Sequence, residues 1–487
     1  MLLPPTPKPP KKPDPLERLL TQPPFDIIPI SIVEHGQAVP LGVMVRATLE
    51  WLLDEATLEK LFQQHATAQY TRELTLSALV GLLIQVSAGL RSSVFAAYKA
   101  DKATSRPTIT TSHQALYDKL GRMETGVGEA LVRHSAQKLQ TLLRLMPCAT
   151  NNILPGYRLR ILDGNVLTGT DHRLGALRKW LNACLPGKSL VVYEPALGLV
   201  TDLVLCEDAY TQERALLIDI AQRVQKGDLL VADRNFCTPR FVFGVVGHNG
   251  CFVVRQHRTN LPCKPLGKLT KRGQTETGTV YEQRVCITNP DTGEQLFLRR
   301  IEVRLFQKTR DGERTIVLLT NLPEEITAVQ IAELYRERWT IEKHFQFLTQ
   351  SLHCEVPGLG RPRAALFMFA MALVAANALA VVRGALRQAH GLEIEREISG
   401  FYLADEIAFD YHAVMKYLPP DQWQGWRSLQ PKHLAQLLTA LARNVNVKGL
   451  TRSKRGPKKP PKSKPVYNKK HKHYSTARLL KEEEESP

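Results

Sequence analysis

No two of the eight cysteines in this 487-residue chain form a C-x-x-C pair, so the spacing carries neither a disulfide framework nor a paired-cysteine zinc module. Cys251, His257 and Cys263 are evenly spaced, but their gaps match no zinc module either. Reduced thiols in an intracellular, cytoplasmic protein are the simpler expectation. An apolar leader is also missing: Pro4 to Pro15 is rich in proline and lysine, which is no secretory signal. Long hydrophobic runs are nearly absent. The exception is Ala364 to Val382, nineteen residues in which only Asn377 is clearly polar. That length just reaches across a bilayer. The run is nevertheless rich in alanine and flanked by Arg361, Arg363 and Arg383, so a buried core helix is expected and no membrane partner.

Acidic charge is the other shortfall. Lys and Arg number 65 against 47 Asp and Glu, a formal charge of +18. A field of that sign attracts polyanions, nucleic acid before an anionic membrane surface, and says nothing about fold.

What is present divides along the chain. Residues 1–24 and 448–487 read as a disordered basic arm and tail, since Lys/Arg/Pro runs cannot bury a core. The tail should add affinity for DNA through phosphate contacts, without reading sequence. Residues 25–150 are patterned as helices, with candidates at Thr48–Gln64, Leu74–Ala100, His113–Met123 and Gly126–Met146. Such a unit reads equally as a DNA-end reader or as a structural cap. From 151 to 256 the pattern turns to strands: Tyr157–Leu162, Leu190–Tyr193, Leu197–Cys206, Leu229–Ala232 and Cys251–Arg255. Helices are expected at Ala209–Gln225 and Thr238–Val246. The order β-β-β-α-β-α-β is that of a ribonuclease-H-like α/β core, in which the first and fourth strands are neighbours. Residues 257–313 form a polar, β-rich insertion, 314–390 return to the core, and 391–447 are helical.

Three carboxylates then stand out. Asp163 and Asp233 each close an apolar strand pattern, and Glu342 lies in a helical pattern from Ile326 to Leu352. Tyr335, Arg338 and Glu342 fall at i, i+3 and i+7, one stripe of that helix. Phosphodiester attack needs an activated water or hydroxyl and a stabilised leaving oxygen, which two divalent cations supply together. Magnesium prefers oxygen ligands, so Asp163, Asp233 and Glu342 are the expected metal ligands for two Mg²⁺ ions, with Mn²⁺ as a substitute. Arg338 would hold a phosphate beside them, and Tyr335 would contact the backbone or orient a water. Singly, each residue has an ordinary explanation. Asp163 would start a turn, Asp233 would cap a helix, and Arg338 and Glu342 would form a surface ion pair.

Together these motifs resemble the DDE transposases of bacterial insertion sequences, in the branch whose signature is Y-x2-R-x3-E-x6-K. Tyr335, Arg338 and Glu342 match its spacing. Leu162-Asp163-Gly164 and Ala232-Asp233-Arg234-Asn235-Phe236 are similar to the family's first two catalytic motifs, as is Asp171-His172-Arg173-Leu174 to the segment after the first. The resemblance covers about Tyr157 to Gly391. It implies metal-dependent cleavage at transposon ends and attack of the freed 3′-hydroxyl on target DNA, by at least a dimer at the nucleoid. Some relatives flip a base near the end; Tyr281 and Phe306 are the aromatic candidates here, as the insertion has no tryptophan. One position departs: the signature lysine falls at Thr349, which leaves Gln346 or Lys343 as substitutes. A catalytically impaired DNA-binding relative, or a nuclease without strand transfer, is the alternative.

Overall fold

A computed structural model of the chain describes residues 37–69, 73–146, 153–167, 185–257, 259–309, 312–356 and 358–452. The basic arm, all but the first residues of the tail, and Asp171–Leu174 lie outside them. The architecture is a mixed α/β sheet with helices. Its ten strands are β1 Arg158–Val166, β2 Lys188–Glu194, β3 Leu199–Cys206, β4 Asp228–Ala232, β5 Cys251–Arg255, β6 Lys264–Pro265, β7 Thr270–Gln274, β8 Gly278–Thr288, β9 Gln295–Leu305 and β10 Thr315–Thr320. They run in the order β3-β2-β1-β4-β5-β10-β9-β8-β6, with β7 also on β8.

The register places the two aspartates. β1 and β4 pair in parallel with Leu162 opposite Ala232, so Asp163 and Asp233, each one residue further on, stand at the same level. Side chains alternate across a sheet. Ile161 and Val231 pack into the larger hydrophobic cluster, Leu162 and Ala232 into the smaller one behind the sheet. Both aspartates therefore follow Ile161 and Val231 onto the same face.

Asp163 is not at a strand end. β1 continues to Val166 because the antiparallel partner β2 pairs with it from Ile161↔Tyr193 through Val166↔Lys188. The helix expected over Ala209–Gln225 is also shorter, a 3-10 turn at Glu213–Leu216 followed by Leu217–Ala221. Asp208 takes the N–H of Tyr210 at 2.9 Å and the hydroxyl of Thr211 at 3.2 Å, which holds this stretch in a turn instead. The apolar pattern at Thr48–Gln64 divides into Pro40–Leu52 and Glu55–His65, where Asp54 caps the second helix through the Thr57 N–H. Leu74–Ala100 divides likewise into Leu76–Ser87 and Val94–Lys102, the latter capped by Ser93. The β-rich segment 257–313 is continuous with the rest of the sheet. β8 and β9 form a long hairpin, and β9 pairs along β10 from Thr315↔Arg304 to Thr320↔Arg299.

Around one face the helices enclose Pro362–His390. It has the length and composition of a membrane span, but 94% of its most apolar window is buried inside the protein. The helices before and after the sheet pack on it and on one another. Trp51 donates its indole N–H to the Leu429 carbonyl at 2.9 Å, and one hydrophobic cluster runs from Leu41 to Leu450.

At Gly42 the helices Pro40–Leu52 and Gly400–Tyr417 approach so closely that a Cβ would sit 2.5 Å from the carbonyl carbon of Asp410. Asp410 is 5% exposed and takes the Gly42 N–H at 3.4 Å. Burial pushes its carboxyl up to about 6, with the Gly42 hydrogen bond opposing and the Glu406 charge adding to the rise. A folded-state value above the unfolded one stabilises fully below the unfolded value and is lost as pH rises through about 6. Ionised Asp410 thus opposes folding at neutral pH. Asp410→Asn should raise stability at pH 7 by about 2 kcal/mol and by nearly nothing near pH 4. Denaturant unfolding at both pH values measures this, and an equal gain at both would rule out the titration.

Candidate active site

The helical pattern Ile326–Leu352 is two helices, Ala328–Arg336 and Trp339–Ser351. Thr327 and Gln330 close a capping box at the start of the first. Between them the turn tightens to i→i−3 bonds, Glu337 N–H to Leu334 at 3.0 Å, Arg338 to Tyr335 at 3.2 Å and Thr340 to Glu337 at 2.9 Å. The Thr340 hydroxyl also donates to the Glu337 carbonyl at 2.7 Å. The second helix is seated by Ile341 and Leu348, both in the large cluster, and by His344, whose ring stacks on Tyr193 of β2 at 4.7 Å. Burial, reinforced by Arg383, pushes the His344 imidazole down to about 3, so it packs as a neutral ring.

This seating brings all five expected residues together. Arg338 is the hub. Its Nη1 lies 3.3 Å from Asp163 Oδ2 and its Nη2 2.8 Å from Glu342 Oε1. Tyr335 donates its hydroxyl to Asp233 Oδ1 at 3.4 Å. With its side chain only 12% exposed, Arg338 is no surface ion-pair partner. Nor is Asp233 used up as a cap: it precedes the 3-10 turn Arg234–Phe236 without a side-chain hydrogen bond to it.

The electrostatics follow from partial burial of like charges. Burial pushes the Asp163 carboxyl up to about 6; Arg338 and the Gly164 N–H oppose the rise, and Asp233 and Glu342 add to it. Burial and the Asp233 charge hold the Tyr335 phenol above its ordinary range. Burial disfavours the Arg338 charge, but Tyr335, Asp163, Asp233 and Glu342 outweigh it and hold the guanidinium protonated.

The donor set is three hard carboxylates, the chemistry a divalent cation prefers. As placed, no three His, Cys, Asp or Glu side chains among the described residues stand close enough to hold an ion. The Arg338 guanidinium is paired with two of the three carboxylates. Arg338 takes one oxygen of Asp163 and one of Glu342, so a cation at these carboxylates would meet the guanidinium there.

Thr349 is exposed on the second helix and turns its hydroxyl back to the Phe345 carbonyl at 3.1 Å. Gln346 and Lys343 are exposed as well. Of the aromatic candidates, Tyr281 is covered by the Arg304 guanidinium 4.2 Å from its ring, whereas Phe306 is exposed. Two further side chains, outside the five expected residues, adjoin the cluster. Trp339, 58% exposed, lies beside the Arg338 guanidinium and offers a flat face at the rim of the site; its place between Arg338 and Glu342 was the available signal. Glu213 rests against Gly164, where a Cβ would meet its carboxylate at 2.4 Å. Nothing in the local pattern around Glu213 marks that contact.

Residues 154–377 match the family model of the transposase DDE domain. The transposase for insertion sequence element IS421 of Escherichia coli is 24% identical over 249 residues, which covers 45% of this chain and 63% of that protein. The InsL protein of insertion sequence element IS186A, from Escherichia coli strain K12, is 24% identical over 249 residues, 45% of this chain and 64% of its own. The chain thus spans less than two thirds of the length of these relatives. Among solved structures, a piggyBac transposase synaptic complex with hairpin DNA aligns with a TM-score of 0.39 at 10% identity, over 77% of this chain and 82% of that one.

Proposed function

We propose that this chain, whose residues 154–377 match the transposase DDE domain, is a metal-dependent transposase that cleaves DNA at the ends of an insertion sequence and joins them to target DNA. The observation that carries this reading is the convergence of Asp163, Asp233 and Glu342, from two strands and a helix, on the Arg338–Tyr335 pair. The strand order β3-β2-β1-β4-β5, with β1 parallel to β4, is also what a ribonuclease-H-like core requires.

In this reading Asp163, Asp233 and Glu342 hold two divalent cations, Mg²⁺ or Mn²⁺. When bound, the cations make a water or 3′-hydroxyl nucleophilic and stabilise the leaving oxygen. The protein's own groups do the rest. Arg338, released from Asp163 and Glu342, turns its planar fork to a phosphate oxygen. Tyr335 keeps Asp233 oriented through its hydroxyl. The positive field of the chain draws the duplex in, and phosphate contacts hold it without reading sequence. Two ends cut in one event require at least two protomers on the DNA, in the cytoplasm alongside the nucleoid.

The test is an end-cleavage and strand-joining assay on DNA carrying the termini of the element, with Mg²⁺ or Mn²⁺ and with chelator. Cleavage followed by joining, both lost on chelation, is the expected result. Cleavage without joining would make the protein a nuclease. Binding without cleavage would identify an impaired relative and direct attention to Thr349. Neither binding nor cleavage would overturn the reading.

A further inference from the structure

Arg234 follows Asp233 directly, at the start of the 3-10 turn. Arg255 is the last residue of β5, the strand beside β4. Both guanidiniums converge on one carboxylate, Glu313, from the connection between β9 and β10. Arg234 Nη1 lies 3.3 Å from one oxygen of Glu313, and Arg255 Nη2 holds the other. The backbone N–H of Glu313 is itself held by the Thr309 hydroxyl at 3.1 Å. The Arg255 charge is also near enough to oppose the rise of the Tyr335 phenol, whose hydroxyl bonds Asp233.

We propose that Arg234 and Arg255 form a phosphodiester-binding site beside Asp233, and that Glu313 occupies it until DNA displaces it. The proposal rests on DNA being the substrate. Two guanidiniums gripping one carboxylate, one oxygen each, offer the pattern that the two non-bridging oxygens of a phosphodiester complete equally well. Arg234 is 50% exposed, so a duplex reaches it without unfolding the turn. Glu313 comes from a connecting segment, so giving it up leaves the β9–β10 pairing intact. Two arginines against one acid leave a net positive charge at the rim of an acidic site, which favours a polyanion there. While Glu313 is in place, each phosphate contact is made in exchange for an existing ion pair, which lowers affinity for DNA in general.

The test uses the full chain and a fluorescein-labelled duplex of the element's end. Anisotropy is read without divalent metal across a range of salt concentrations. Glu313→Gln should bind about fivefold more tightly, with the salt dependence steeper by about one ion. Arg234→Gln should bind about fivefold more weakly, with the dependence shallower by about one ion. Both effects should be the same on a duplex of unrelated sequence. Unchanged or weaker binding by Glu313→Gln would show that its carboxylate merely positions the arginines, and would overturn the proposal. Arg234 is half-exposed, so its variant provides an independent measurement if Glu313→Gln folds poorly, and wild-type-like binding by it would be equally fatal. If the wild-type chain binds no DNA at any salt, the transposase reading fails instead, which is a separate outcome.

Discussion

Glu342→Gln should slow end cleavage at least about a thousandfold while metal-free DNA affinity stays within about twofold. Glutamine keeps the length and helix propensity of glutamate, and the Trp339–Ser351 helix is seated by Ile341, Leu348 and the His344–Tyr193 stack. What is lost is one negative charge and one hard oxygen donor. A metal clamp supplies several kcal/mol of transition-state stabilisation, and each 1.4 kcal/mol is about tenfold in rate, so three decades is a conservative expectation. The Arg338 Nη2–Glu342 Oε1 pair at 2.8 Å is lost too. Arg338 keeps Asp163 at 3.3 Å, so folding should hardly change. Single-turnover cleavage with Mn²⁺ and anisotropy without metal separate the two effects. Cleavage within tenfold of wild type would remove Glu342 from the metal site.

Asn377→Leu should lower folding stability by about 3 kcal/mol. Asn377 is 0% exposed on the apolar helix Pro362–His390. Its Oδ1 takes the Val200 N–H at 2.8 Å, and its Nδ2 donates to the Val200 carbonyl at 3.0 Å and to the Ser135 hydroxyl at 2.8 Å. β3 ends the strand order, and among the described residues no further strand pairs with it. An outer strand presents unpaired backbone groups, and Asn377 satisfies both of those at Val200. Leucine has nearly the same volume and makes neither bond. It would bury a donor and an acceptor unsatisfied, each costing about 1–3 kcal/mol. Urea unfolding of the two proteins measures the difference. A loss below about 1 kcal/mol would mean that water reaches the site and replaces the amide.

Arg338 connects these results to the chemistry. Its guanidinium balances carboxylates that would otherwise repel one another. The cations proposed for the site must compete with it, and the phosphate proposed for it becomes its next partner.

Local pattern was enough for several features. Apolar runs bounded by breakers mark β4 and β5 closely, with Leu229–Ala232 and Cys251–Arg255 read almost as they stand. An alanine-rich run with a single amide marks a helix that must be covered, and strand and helix patterning marks Asp163, Asp233, Glu342, Arg338 and Tyr335 as candidates, which the fold brings together. Tertiary structure decided what depends on distant partners. Pairing with β2 carries β1 past Asp163 to Val166, and the Leu162↔Ala232 register sets the two aspartates level. The tightened turn at Glu337–Arg338 sends one guanidinium to two carboxylates. Contacts such as Glu313 with Arg234 and Arg255, or Glu213 with Gly164, leave no trace in their own neighbourhoods. Periodicity records only which side of an element is apolar, because it arises from neighbours within a turn or a pleat. Which element lies opposite, and in what register, is chosen by packing and backbone hydrogen bonding between residues far apart in the chain.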